Sequence, residues 1–106
     1  MDQFHAHIYY DSKTLEQAKI LVEKANEKEG IKIGRMHERP VGPHPTWSCQ
    51  LLFSKEKLTE MIIWLLESRK GLSIFIHPVT GDDVLDHTEY AIWLGQKWDL
   101  DLKALS

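Results

Sequence analysis

The sequence predicts an α+β fold of the ferredoxin-like, split βαβ kind, a four-stranded antiparallel sheet with two helices on one face. Three observations predict it. Periodic segments follow in the order strand, helix, strand, strand, helix, strand. Each helical segment stops near a glycine, Gly30 or Gly71. Three of the four prolines gather in "PVGPHPT", a stiff loop that separates the second strand from the third.

Phe4, Ala6 and Ile8 alternate with His5, His7 and Tyr9, so a strand over residues 3–10 points the two sets to opposite faces. Asp11 or Ser12 offers a cap, and Leu15, Ala18, Val22 and Ala25 then recur at helical spacing until Gly30 closes the helix. "IKIGRMHER", residues 31–39, reads as the second strand and "WSCQLLF" as the third. Ser54 caps a second helix whose buried stripe is Leu58, Met61, Ile62 and Leu65, ending at Gly71. "LSIFI" is the fourth strand and runs into His77 and Pro78. The tail "TGDDVLDHTEYAIWLGQKW" is a C-terminal extension to this frame. Asp86 with Glu89 resembles a capping box and Gly95 a stop, which predicts a short helix between them.

A chain of 106 residues without repeats or linkers reads as one domain, 1–106, with a single modest core. Hydrophobic residues at 42% and charged residues at 27% fit an ordinary globular protein. No apolar run reaches the ~20 residues that cross a bilayer, so no membrane association is expected. A net charge of -3 without a Lys/Arg cluster speaks against nucleic acid. The absence of a signal-peptide pattern and the single cysteine, Cys49, lead us to expect a cytoplasmic location. Six histidines and four tryptophans are the unusual features.

Topology brings the histidines together. With strands ordered 4-1-3-2, strand 4 antiparallel to strand 1, and strands 1 and 3 taken as parallel, the starts of strands 1 and 3 and the end of strand 4 share one edge. His5 and His7 lie early on strand 1, His77 ends strand 4, and His44 lies in the loop entering strand 3. Facing agrees: Leu72, Ile74 and Ile76 meet the helices, which turns Ser73, Phe75 and His77 to the face of His5 and His7. Surface histidines need not converge, whereas metal ligands must, so His5, His7, His44 and His77 form a metal-site candidate. The plainer reading of each alone is a solvated imidazole. One cysteine excludes iron–sulfur clusters and thiolate-rich zinc sites. Imidazoles suit zinc, iron, copper or nickel, and two histidines with a carboxylate favour non-haem Fe(II). Glu38, Asp82 and Asp83 are the candidate carboxylates, the two aspartates also being natural turn formers.

The segments "FHAHIYY", "GRMHERPVGPHPTW", "LLESRKGLSIFIHP" and "TGDDVLDHTEYAIWLG" together resemble the DOPA 4,5-dioxygenase family, from Phe4 to about Leu100. The resemblance implies a ferredoxin-like fold, commonly packed as a dimeric α+β barrel, and extradiol cleavage of a catechol such as L-DOPA by O2 at a non-haem Fe(II). Zinc can take the same imidazoles in a purified sample. We expect His7, His44 and His77 near the metal, with His5 a further ligand or the acid/base; spacing does not rank His5 against His7. His37 and His87 are the next candidates for proton transfer or substrate contact. Arg35 can pair with a substrate carboxylate, its plainer role being a solvated strand residue. Trp47 and Phe75 can stack on an aromatic ring or line an interface. Tyr9, Phe75 and Trp47 would leave the helix-free sheet face apolar and wet, which predicts a homodimer. Two other readings keep the pocket: a zinc-dependent hydrolase or lyase on a small aromatic compound, and a non-catalytic metal- or aromatic-binding domain.

Overall fold

A computed structural model describes residues 1–105. The elements run β1 (Gln3–Tyr10), α1 (Leu15–Asn26), β2 (Lys32–Met36), β3 (Trp47–Ser54), α2 (Leu58–Ser68), β4 (Ile74–Pro78), α3 (Asp83–His87) and β5 (Ile92–Leu94). The sheet order is β2-β3-β1-β4-β5, so the expected α+β frame is present with one further strand at its edge.

All ladders are antiparallel, and this corrects one premise: β1 and β3 are antiparallel, with Tyr10 opposite Trp47 and Gln3 opposite Ser54. β2 is therefore the strand that runs parallel to β1, as a helical crossover requires. The start of β3 consequently lies at the far end of β1 from His5. The β1–β4 pairing is as expected, with His5 opposite His77 and His7 opposite Phe75.

Both helices press one face of the sheet. Ala18, Leu21, Val22 and Ala25 of α1 and Met61 and Leu65 of α2 pack with Phe4, Ala6, Ile8, Leu51, Phe53, Ile74 and Ile76. Each large side chain buried there contributes roughly 1.5–3 kcal/mol relative to exposure. Trp47 belongs to this face too: its ring meets Tyr10 at 6.3 Å and packs against the core. Its expected place on the histidine face is corrected by the period of two, since Trp47 shares a side with Cys49, Leu51 and Phe53.

Local boundaries moved where side chains did other work. The Asp11 carboxylate accepts from the backbone of Lys13 and Thr14 at 2.9 and 3.0 Å, making a turn ahead of α1 rather than its cap. α1 ends at Asn26, and Gly30, at φ +81°, makes the turn into β2. Ser54 leads first into a 3-10 turn, Lys55–Lys57, without a side-chain cap. The helix expected between Asp86 and Gly95 lies earlier. Asp82 caps α3 by accepting from Leu85 N at 3.1 Å, Asp86 sits inside it, and Gly95 follows β5 instead.

The aromatic centre of the sheet's second face is not wet. Tyr9 is 2% exposed and Phe75 0%, because the chain folds its own Pro-rich loop and C-terminal extension over them. Asp101 N donates to Pro43 O at 2.9 Å, tying these two covers together. The premise for a homodimer, an apolar sheet face left open, is thereby removed. Among the described residues no helix is long and apolar enough to cross a membrane.

Candidate metal centre

β1 and β4 supply the centre. Because residues i and i+2 of a strand share a face, His5 and His7 stand side by side, and the ladder sets His77 opposite His5. Nitrogens of His5, His7 and His77 all lie within 4.8 Å of one another, and His7 Nε2 is 3.0 Å from His77 Nε2. His44 joins by a route the topology did not provide: its loop turns back over the sheet, bringing its ring 4.1 Å from that of His7. The helix α3 adds His87, whose ring is 4.2 Å from that of His77. Thus His5, His7, His44, His77 and His87 share one corner.

His37 and Arg35 stand apart. His37 N donates to Ser48 O at 3.0 Å, and its own carbonyl accepts from the Tyr10 hydroxyl at 2.7 Å. With exposed Arg35 and Glu38 it borders a separate cavity of about 280 Å³. Asp82 and Asp83 are exposed, and neither they nor Glu38 belongs to the histidine group.

The floor and walls are aromatic. Phe75 stacks on Trp93 of β5 at 4.6 Å and touches His77 and His87 at 5.2 and 5.6 Å. Tyr9 meets Trp93 and Trp98 edge-on at 5.9 and 5.8 Å. Sequence reading gave these two tryptophans no site role and took Asp86 for a helix cap. Asp86 is 1% exposed and accepts from Thr80 N at 2.9 Å and Thr80 Oγ1 at 2.6 Å, which fastens α3, and so His87, to the end of β4. The signal was available: in "TGDDVLDH", Asp86 falls one helical turn after Asp82, on the side facing back toward Thr80. On the far side of His87, a cavity of about 450 Å³ runs along Trp93, Lys97 and Trp98. Trp98 Nε1 is buried and has no hydrogen-bond partner among the described residues.

Burial and crowding keep His5, His7, His44 and His77 neutral. Loss of solvent, then the charge of His87 and other neighbours, holds His44 down to about 4. His77 is likewise lowered to about 4, chiefly by burial, with its bond to Pro78 opposing the shift. His7 falls well below its ordinary value through burial, then repulsion from His44, His77, His5 and His87. His5 is lowered by burial and His87. A neutral imidazole offers the lone pair that a metal needs. Two nitrogens 3.0 Å apart can share an ion at ~2.1 Å from each with an angle of about 90° between them. His5, His7 and His77 therefore fit a bivalent transition metal and leave coordination positions open.

Comparison with known proteins agrees with this fold. A crystal structure from Nostoc punctiforme, described as a "putative dioxygenase", superposes with a TM-score of 0.96 at 35% identity, covering 99% of this chain and 91% of that one. An uncharacterised 21.2 kDa protein of Botryotinia fuckeliana is 38% identical over 93% of this chain. A DOPA 4,5-dioxygenase of Amanita muscaria is 26% identical over 97% of it. The chain spans 61% and 49% of the lengths of these two fungal relatives. The Dopa 4,5-dioxygenase family model matches residues 4–104, nearly the full length, and the chain belongs to that family.

Proposed function

We propose that this protein is a metal-dependent extradiol dioxygenase that opens the ring of a catechol with O2. The observation that carries the reading is the group His5, His7 and His77, three neutral imidazoles on adjacent strands within 4.8 Å of one another, in a chain of a dioxygenase family. Extradiol cleavage breaks the ring bond beside the two hydroxyls and delivers both atoms of O2 to the product, one in an aldehyde and one in a carboxylate. Iron(II), when bound, supplies a common meeting point for catechol and O2 and a path for electrons between them.

The chain's own residues supply position and shelter. His5, His7 and His77 hold the ion, and the β1–β4 ladder fixes their spacing without help from a mobile loop. Trp93, stacked on the fully buried Phe75, presents an aromatic wall that orients a flat substrate. The cavity beside His87 receives the ring substituent, where the Lys97 ammonium favours an oxygen-bearing group. This assigns to Trp93 and Lys97 the contacts that the sequence suggested for Trp47, Phe75 and Arg35, with the buried Phe75 supporting Trp93 from beneath.

One observation favours a second reading. The donor group contains no carboxylate, and three imidazoles with open positions also describe catalytic zinc, which activates water for hydrolysis or lyase chemistry. Oxygen uptake separates the two. Protein reconstituted anaerobically with Fe(II) is mixed with air-saturated L-DOPA, caffeate or protocatechuate in an oxygen electrode. One O2 consumed per catechol, with a new ring-opened chromophore, is expected for at least one compound. Catechol turnover in the absence of O2 would instead establish the zinc reading, and metal binding without any turnover would leave a binding domain. Self-association no longer has its sequence argument, and light scattering of the purified chain gives its mass directly.

A further inference from the structure

The clustered imidazoles differ in what they bond to. His77 Nδ1 lies 2.7 Å from the carbonyl of Pro78, and His87 Nδ1 lies 2.6 Å from the carbonyl of Asp83. A carbonyl only accepts, so both Nδ1 atoms carry protons, and the neutral His77 ring presents its lone pair at Nε2. Backbone carbonyls orient metal-ligating histidines in this way.

His44 is built the other way round. Its Nδ1 lies 2.8 Å from the Tyr9 hydroxyl, the one hydrogen bond that hydroxyl makes among the described residues. Tyr9 is 2% exposed, so its hydroxyl lies away from bulk solvent. A buried O–H left without an acceptor loses its bond to water and gains none in return. The Tyr9 O–H therefore donates to His44 Nδ1, which moves the proton of the neutral ring to Nε2. His44 is also outside the group of nitrogens that converge within 4.8 Å. Its ring lies 4.1 Å from His7 and edge-on to Phe75 at 6.3 Å, directly beside the proposed metal group.

We propose that Tyr9 is a positioning residue that fixes His44 as an Nε2–H donor to an anionic oxygen of the bound catechol, and that His44 is not a metal ligand. The inference rests on the reading of His5, His7 and His77 as the metal group and reassigns His44, which the sequence placed among the ligands. Tyr9 is held for this purpose from two sides: Trp93 and Trp98 pack its ring, and the Tyr9 backbone N–H donates to Ser73 O at 2.9 Å. A donor aimed at developing negative charge in a water-poor site is worth on the order of 10²-fold in rate.

The test is nitrogen-15 NMR of the histidine-labelled protein loaded with Zn(II), which is diamagnetic, in wild type and in Tyr9→Phe. The phenylalanine keeps the ring contacts and removes only the hydroxyl. The expected wild-type result is a protonated Nε2 and an unligated, unprotonated Nδ1 at His44, with Nδ1 protonated at His77 and His87. Tyr9→Phe should lose the His44 preference, keep metal affinity within about threefold, and lower kcat with little change in KM. A His44 nitrogen bearing the shift of a zinc ligand, or a wild-type ring protonated on Nδ1, overturns the inference. So does a Tyr9→Phe protein whose His44 tautomer is unchanged. Affinity of the metal-loaded protein for 4-nitrocatechol, read by its absorption, keeps the two readings apart. Expected tautomers with no nitrocatechol binding would sink the catechol reading together with the substrate half of this inference, while Tyr9's control of His44 would stand. Tight nitrocatechol binding with His44 ligated would do the reverse.

Discussion

Acidifying the metal-free protein from pH 7 to pH 5 should remove several kcal/mol of stability before most carboxylates protonate. The fold holds His44 and His77 down to about 4, against 6.5 in an unfolded chain. Each ring is thus kept neutral against roughly 3 kcal/mol. Both shifts are depressions, so between the two values the unfolded chain binds more protons than the folded one. Stability is then complete above pH 6.5 and is lost as pH falls toward 4. By pH 5 the linkage relation gives a loss of about 2 kcal/mol per ring. The two rings neighbour each other and the same repellent His87, so their losses need not simply add. Against a typical total of about 5–15 kcal/mol, the pair is a substantial fraction. Urea titrations in EDTA, followed by tryptophan fluorescence at half-unit pH intervals, measure it directly. The midpoint should move steadily downward while the slope with urea stays constant. An unchanged midpoint between pH 7 and 5 would refute the reasoning, because it would mean that these imidazoles titrate as they do in water. Metal should steepen the dependence, since protons and the ion compete for the same nitrogens.

Further consequences follow from particular contacts. Asp86→Ala removes a buried carboxylate that accepts twice from Thr80, and urea denaturation should show a loss of about 2–3 kcal/mol. Because the same bonds anchor α3, that variant should also show faster hydrogen exchange in residues 83–87 than in the rest of the chain. Leu65→Ala empties a fully buried place between α2 and the sheet and should lower stability by about 2–5 kcal/mol without altering metal affinity. Gly95→Ala should cost about 1 kcal/mol or more in the same denaturation assay, because its φ of +81° disfavours a side chain and the new methyl group meets the Arg69 guanidinium.

The frame was legible because its signals repeat. Alternation in residues 3–10 separated Phe4, Ala6 and Ile8 from His5, His7 and Tyr9, and the structure divides them in the same way. One pairing, β1 with β4, was enough to unite His5, His7 and His77. His44 was anticipated at the site for a reason that does not hold, since β3 begins at the other end of β1. It arrives because a proline-stiffened loop doubles back, and loop paths leave no periodic trace in sequence. The extension was misread for want of length: α3 has five residues and β5 three, too few to display a period. Hence Trp93 and Trp98 received no site role and Trp47 took their place, although the parity that sets Trp47 beside Cys49 and Leu51 was already visible.

The central claim is that His5, His7 and His77 hold one metal ion on which catechol and O2 meet. Anaerobic titration with Fe(II), in competition with a chromophoric chelator, tests it most directly when wild type is compared with His7→Ala and His77→Ala. We expect one tightly held ion per chain in wild type and none in either variant, with His44→Gln retaining the ion. Equal, undiminished iron binding by the His7 and His77 variants would contradict the account.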